Sequence, residues 1–111
     1  MIDNILVVGE NKQFAAALIV PEFGDMRSWC AKEGIPYTTN EEMIAHPQVL
    51  ARFKQIVDRY NKFFGESEKV ARFKLIGYPW TVESGELTPT LKLKRNFIYK
   101  KFEEEIEGLF S

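Results

Sequence analysis

Five cations fall within ten residues near the C-terminus: Lys92, Lys94, Arg95, Lys100 and Lys101. Spaced this way, they could meet the oxygens of phosphate or carboxylate groups. Glu103, Glu104, Glu105 and Glu107 follow directly, and the formal net charge of the 111-residue chain is only −1. The acidic block and the absence of a global positive field argue against nucleic acid as the partner. The cations open and the carboxylates close the last helix, so both oppose the helix macrodipole, and a misplaced terminal charge costs about 0.3–1 kcal/mol at an exposed site. The pairs Lys100–Glu104 and Lys101–Glu105 stand in the less favourable order. Local helix stability therefore does not account for the cations. Two uses remain: a solvated edge in Lys92-Leu93-Lys94, where lysines discourage edge-to-edge pairing, or a phosphate-binding or partner-docking surface around Lys92.

Other chemistries have little support. The chain has no Gly-rich phosphate loop, no His/Cys/carboxylate cluster at metal-ligand spacing and no nucleophile elbow. His46 is the lone histidine and fits a helix start better than a catalytic base, because no partner is near it in sequence. Cys30 is the lone cysteine, which rules out an internal disulfide, fits a reducing compartment and reads as a buried apolar side chain. No run is long and apolar enough to span a bilayer, and the N-terminus lacks signal-peptide character. The expectation is a cytoplasmic, soluble protein.

The elements that must position the lysines follow from apolar spacing. With 45% apolar residues and nine Phe, the chain can fill one core. Ile5–Val8 and Phe14–Val20 flank the turn residues Gly9-Glu10-Asn11-Lys12 and predict an antiparallel hairpin. Phe23, Met26, Trp29 and Cys30 recur at helical spacing until Gly34. Thr39 and Glu42 form a capping-box pattern for a short helix to about Ala45. Pro47 suits the first position of the next helix, whose Val49, Leu50, Phe53, Ile56, Val57, Tyr60 and Phe64 form one stripe, with Gly65 as its stop. Residues 71 to 78 alternate as a third strand. A polar loop from Thr81 to Leu91 leads to a final helix from about Arg95, with Ile98, Phe102, Ile106 and Leu109 turned inward. The fold class is α+β: a small antiparallel sheet of about three strands plus a short hairpin, packed with helices. Trp80, at the lip of the loop, suits either a packing plug or an interface.

The run Glu86-Leu87-Thr88-Pro89-Thr90-Leu91-Lys92-Leu93-Lys94-Arg95 resembles the C-terminal lysine motif of adenylate-forming (AMP-binding) enzymes, in the form found in long-chain fatty-acid–CoA ligases. The wider family's pattern is Pro-Lys-Thr followed by Ser-Gly-Lys. Here Glu86-Leu87 replaces Pro-Lys and Leu91 replaces the Gly, departures typical of the long-chain branch. Ile2–Gly9 with the Ala-rich strand from Phe14 to Pro21 is similar to the start of the same domain, so the resemblance covers essentially all of residues 1–111.

The resemblance implies that the chain is a single domain, the mobile C-terminal domain of a longer enzyme whose large N-terminal domain is absent. Strand-like sequence starting at Ile2 agrees with a chain cut from something longer. Lys92 takes the place of the adenylation lysine, and Thr88, Pro89 and Thr90 shape the loop that carries it. The implied reaction joins a fatty acid to coenzyme A through an acyl-adenylate, with ATP and Mg²⁺ serving the intact enzyme and none of them held by the fragment. The hinge, the ATP site and the acyl tunnel are expected upstream of Met1, which would leave the fragment inactive alone. The implied partners are the enzyme's own large domain and its fatty acid, ATP and CoA, and handling long acyl chains is compatible with transient peripheral membrane contact.

Overall fold

A computed structural model describes residues 1–65 and 69–111. Strand β1 (Ile2–Val8) and strand β2 (Ala15–Pro21) pair antiparallel. The intervening turn is closed by the Lys12 amide donating to the Gly9 carbonyl at 3.0 Å. Helices α1 (Phe23–Glu33), α2 (Asn40–Ala45) and α3 (Pro47–Asn61) follow, then strand β3 (Val70–Leu75) and the terminal helices α4 (Arg95–Lys101) and α5 (Glu103–Leu109).

The α+β class and the three strands agree with the sequence reading, but the pairing is mixed. β3 lies parallel to β2, in the order β1-β2-β3. Direct hairpin closure forces antiparallel pairing, whereas the three helices between β2 and β3 return the chain to the end from which β2 started. As the central strand, β2 is buried almost throughout, from Ala16 to Pro21, which accounts for its unbroken apolar run.

Local signals set the helix ends. Gly34 caps α1 in the left-handed region at φ 69°, the conformation that favours glycine after a last helical turn. Thr39 Oγ1 accepts from the Glu42 amide at 3.1 Å, while the Glu42 carboxylate reaches the Thr38 amide rather than that of Thr39. His46 Nδ1 accepts from the Gln48 amide at 3.2 Å, so the lone histidine is the N-cap of α3. That helix ends at Asn61, four residues before Gly65, because the Asn61 side-chain amide exchanges two 2.9 Å hydrogen bonds with the backbone of Val70. The bond pair fastens the end of α3 to the start of β3.

The buried face of α3 is narrower than its apolar stripe. Val49, Phe53 and Val57 are buried, while Leu50, Tyr60 and Phe64 stand at the rim, partly exposed. A three-stranded sheet with strands about 4.8 Å apart does not extend under the whole stripe. Tyr60 and Phe64 pack on one another instead, with centroids 4.6 Å apart.

The last helical segment contains a second departure. The chain leaves helical geometry at Phe102, at φ −108° and ψ 28°, so Lys100 and Lys101 occupy the last turn of α4 and Glu103, Glu104 and Glu105 the first turn of α5. The charges that would oppose the dipole of one continuous helix complement those of two short ones. Ile98, Phe102, Ile106 and Leu109 still face the core, as the spacing predicts. Trp80 is buried with its ring 5.8 Å from that of Phe102, which makes it a packing plug in this domain.

Candidate functional site

The loop before α4 is a built hairpin. Leu87 and Leu93 form an isolated antiparallel bridge, and the Lys94 amide donates to the Glu86 carbonyl at 2.8 Å. At the tip, the Leu91 amide donates to the Thr88 carbonyl at 2.7 Å, and the Thr88 amide donates to the Lys92 carbonyl at 2.8 Å. This is a β-turn over residues 88 to 91 with Pro89 at its second position, where a fixed φ suits it. Thr88 Oγ1 accepts from the Lys92 amide at 3.0 Å and lies 3.1 Å from Thr90 Oγ1. Thr88, Pro89 and Thr90 therefore all contribute to the shape of the turn that ends in Lys92.

Leu91 sits at φ 64°, an unfavourable region for a side chain branched beyond Cβ, and is 67% exposed. The wider pattern places Gly here, and Gly would carry no such cost. Lys92 follows, exposed, and among the described residues its ammonium makes no hydrogen bond, ion pair or ring contact.

Two of the other four cations are engaged elsewhere. Arg95 turns back on the sheet, donating to the Val7 carbonyl at 3.0 Å and lying 5.7 Å over the Tyr99 ring. Lys101 pairs with the carboxylate of Glu86. Lys92, Lys94 and Lys100 are left exposed.

Glu86 is the feature that the sequence conceals. It is 0% exposed, the sole buried charged residue among those described. One carboxylate oxygen takes the Lys101 ammonium, and the other accepts from Ser84 Oγ and from the Thr81 amide, the latter at 3.3 Å. Burial pushes the Glu86 carboxyl up, but the bonds from Lys101, Ser84 and Thr81 together outweigh it and hold the group below the usual carboxylate range. Lys101 is raised in turn, chiefly by its bond to Glu86 and against the effect of burial. Tyr78, Phe97 and Phe102 surround its ammonium at 5.3–5.8 Å from their ring centroids, close enough for cation–π attraction. In the sequence, Glu86 is only a substitution for the wider family's proline. Its partner lies fifteen residues away across a turn, a spacing that no periodicity marks.

Residues 1–111 match the family of the AMP-binding enzyme C-terminal domain along their whole length. The chain belongs to that family. Among curated relatives of this AMP-binding C-terminal domain, long chain acyl-CoA synthetase 8 of Arabidopsis thaliana is 30% identical over 99% of the chain. A long-chain fatty-acid–CoA ligase of Mycobacterium tuberculosis is 27% identical over all of it. The chain spans 16% and 19% of those two proteins, respectively, less than a fifth of either.

Solved structures agree on the fold. The adenylation domain of a carboxylate reductase from Mycobacterium chelonae superposes with a TM-score of 0.67 at 22% identity, covering 98% of this chain and 15% of that one. The corresponding domain of a carboxylic acid reductase from Segniliparus rugosus, in complex with AMP and a co-purified carboxylic acid, gives 0.65 at 20% identity over 99% of this chain and 16% of that one. No helix among the described residues is long and apolar enough to cross a membrane.

Proposed function

We propose that this domain is the mobile, lysine-bearing part of an ATP-dependent long-chain fatty-acid–CoA ligase, and that Lys92 is its adenylation lysine. The observation that carries the reading is the state of Lys92: an exposed ammonium with no partner among the described residues, at the end of a turn held by four hydrogen bonds from or to Thr88. A surface lysine with no role needs no such support.

In the proposed reaction a fatty-acid carboxylate attacks the α-phosphorus of ATP, giving acyl-adenylate and pyrophosphate, and coenzyme A then takes the acyl group as a thioester. Both reactants of the first step are anions. Lys92 would lie between them, lowering their repulsion and stabilising the charge that develops on the phosphoryl oxygens. Rotation of the domain against its large N-terminal partner would deliver Lys92 for the first step and withdraw it for the second. Mg²⁺ supplies charge neutralisation at the phosphates when bound. Its ligands and the ATP pocket would lie in the rest of the enzyme, since the chain spans less than a fifth of its curated relatives. The buried free thiol of Cys30 fits a cytoplasmic setting.

The test is fatty-acid-dependent ATP–pyrophosphate exchange by the full-length enzyme, alongside thioester formation from preformed acyl-adenylate. Lys92→Ala should lower exchange about 100- to 1000-fold, the range for removal of one transition-state donor, and leave the second half-reaction within about twofold. Unchanged exchange would remove Lys92 from the chemistry and leave the exposed cations as a docking surface.

A further inference from the structure

We infer that Glu86 and Lys101 are a positioning pair for Lys92, and that they fix the hairpin's orientation on the domain body so that the ammonium arrives at the reacting phosphate in register. The inference rests on the reading of Lys92 given above.

Glu86 acts at two levels. Its carbonyl accepts from the Lys94 amide and so sets the register of the hairpin, while its side chain leaves the hairpin altogether and binds Lys101 on α4. At its other end, α4 is tied to the sheet by Arg95 on the Val7 carbonyl. A continuous route of polar bonds thus runs from β1 through α4 and Glu86 to the base of the turn that carries Lys92. The same carboxylate also collects Ser84 Oγ and the Thr81 amide, which fastens the descending side of the loop to the hairpin.

Stability alone is a weak reason for this arrangement. A buried ion pair returns little over a well-packed apolar pair of similar volume, because desolvation offsets the attraction. What the pair adds is direction. Apolar contacts between hairpin and helix would tolerate sliding, whereas a carboxylate with three donors accepts few orientations. Lys92 has no side-chain contact of its own among the described residues, so its placement depends on the backbone beneath it. A displacement of about 1 Å at a reacting group can cost about 100-fold in rate.

The experiment uses the full-length enzyme with Glu86→Gln, Glu86→Gln/Lys101→Met, Lys92→Ala and Lys92→Ala/Glu86→Gln. Glu86→Gln keeps the shape and an acceptor, and the double neutral variant leaves no charge unpaired, which guards against loss of fold in the first. The expected result is a fall of about 10- to 100-fold in kcat for ATP–pyrophosphate exchange, with KM for ATP and fatty acid changed less than about threefold. Thioester formation from preformed acyl-adenylate stays within about twofold. A residue that only positions Lys92 has nothing left to act on once Lys92 is gone, so Lys92→Ala/Glu86→Gln should exchange no more slowly than Lys92→Ala.

Equal losses in both half-reactions, or full additivity on the Lys92→Ala background, would overturn the positioning role while leaving Lys92 as the adenylation lysine. Normal exchange by Lys92→Ala would instead remove the lysine and the pair together.

Discussion

Removing the Lys101 ammonium tests the physics of the buried carboxylate directly. In Lys101→Met the stem is kept and Glu86, 0% exposed, loses its counter-ion. Breaking one side of a buried pair costs about 3–5 kcal/mol. Lys101 is 34% exposed on its side chain, so water screens part of the loss and the expected cost is about 2–4 kcal/mol. At roughly 4–8 °C per kcal/mol for a domain near this size, Tm falls by roughly 10–30 °C. Glu86→Leu/Lys101→Met should lie within about 1 kcal/mol of wild type. That double variant buries no stranded donor, because the Thr81 amide keeps Ser84 Oγ at 3.3 Å, one hydroxyl of Thr81 and Ser84 donates to the other at 2.7 Å, and the exposed Ser84 can turn to water.

The assay is urea and thermal unfolding of this chain across pH. In the wild type, the Glu86 carboxyl titrates lower folded than unfolded, so its contribution is present above the unfolded carboxylate pKa and is lost as pH falls through the folded one. In Lys101→Met the largest depressing influence is gone, so the folded carboxyl titrates higher than in the wild type. The gap between the variant and the wild type should then narrow as pH falls through the carboxylate range. A single variant within about 0.5 kcal/mol of wild type, a double variant as unstable as the single, or a gap that widens on acidification would refute the reasoning.

Four further outcomes are expected. Thr88→Val removes the acceptor of the Lys92 amide, which should cost about 0.5–1.5 kcal/mol locally and speed hydrogen exchange at that amide roughly tenfold. Gly34→Ala, at φ 69° with open space around the added Cβ, should cost about 1 kcal/mol in urea unfolding. Gly85→Ala combines φ 100° with a Cβ 2.6 Å from the Phe97 ring and should cost more, about 2–3 kcal/mol. Cys30 is fully buried, which pushes its thiol up, so alkylation at about pH 8 should be at least about 100-fold slower in the native chain than in urea.

Much of the scaffold was legible because its causes are local. The Thr39 cap, Pro47 at the head of α3, Gly34 after α1 and the apolar rows of Ile98, Phe102, Ile106 and Leu109 each act within a turn or two of chain, and sequence spacing records them directly. Thr88, Pro89 and Thr90 were legible for the same reason, since they shape the backbone that they belong to, whereas Lys92 was singled out by the resemblance of its motif and not by any local interaction. The parallel placement of β3 was not legible. Its alternating residues describe a face and not a neighbour, and the crossover through three helices decided which edge of β2 it met.

The split at Phe102 was hidden for a related reason: helical periodicity continues through it, and only the dihedral angles at that residue reverse the meaning of the charges on either side. Glu86 was the deepest omission. Charge type and loop composition point to solvent, and burial of this carboxylate depends on Lys101 of α4 converging with Ser84 and Thr81 of its own loop. The sequence by itself thus determined most of the elements and their caps, because those follow from interactions over a few residues. Only the tertiary structure decided strand direction, the division of the last helix and the buried pair beneath the lysine hairpin, because each depends on which distant groups exclude water from one another.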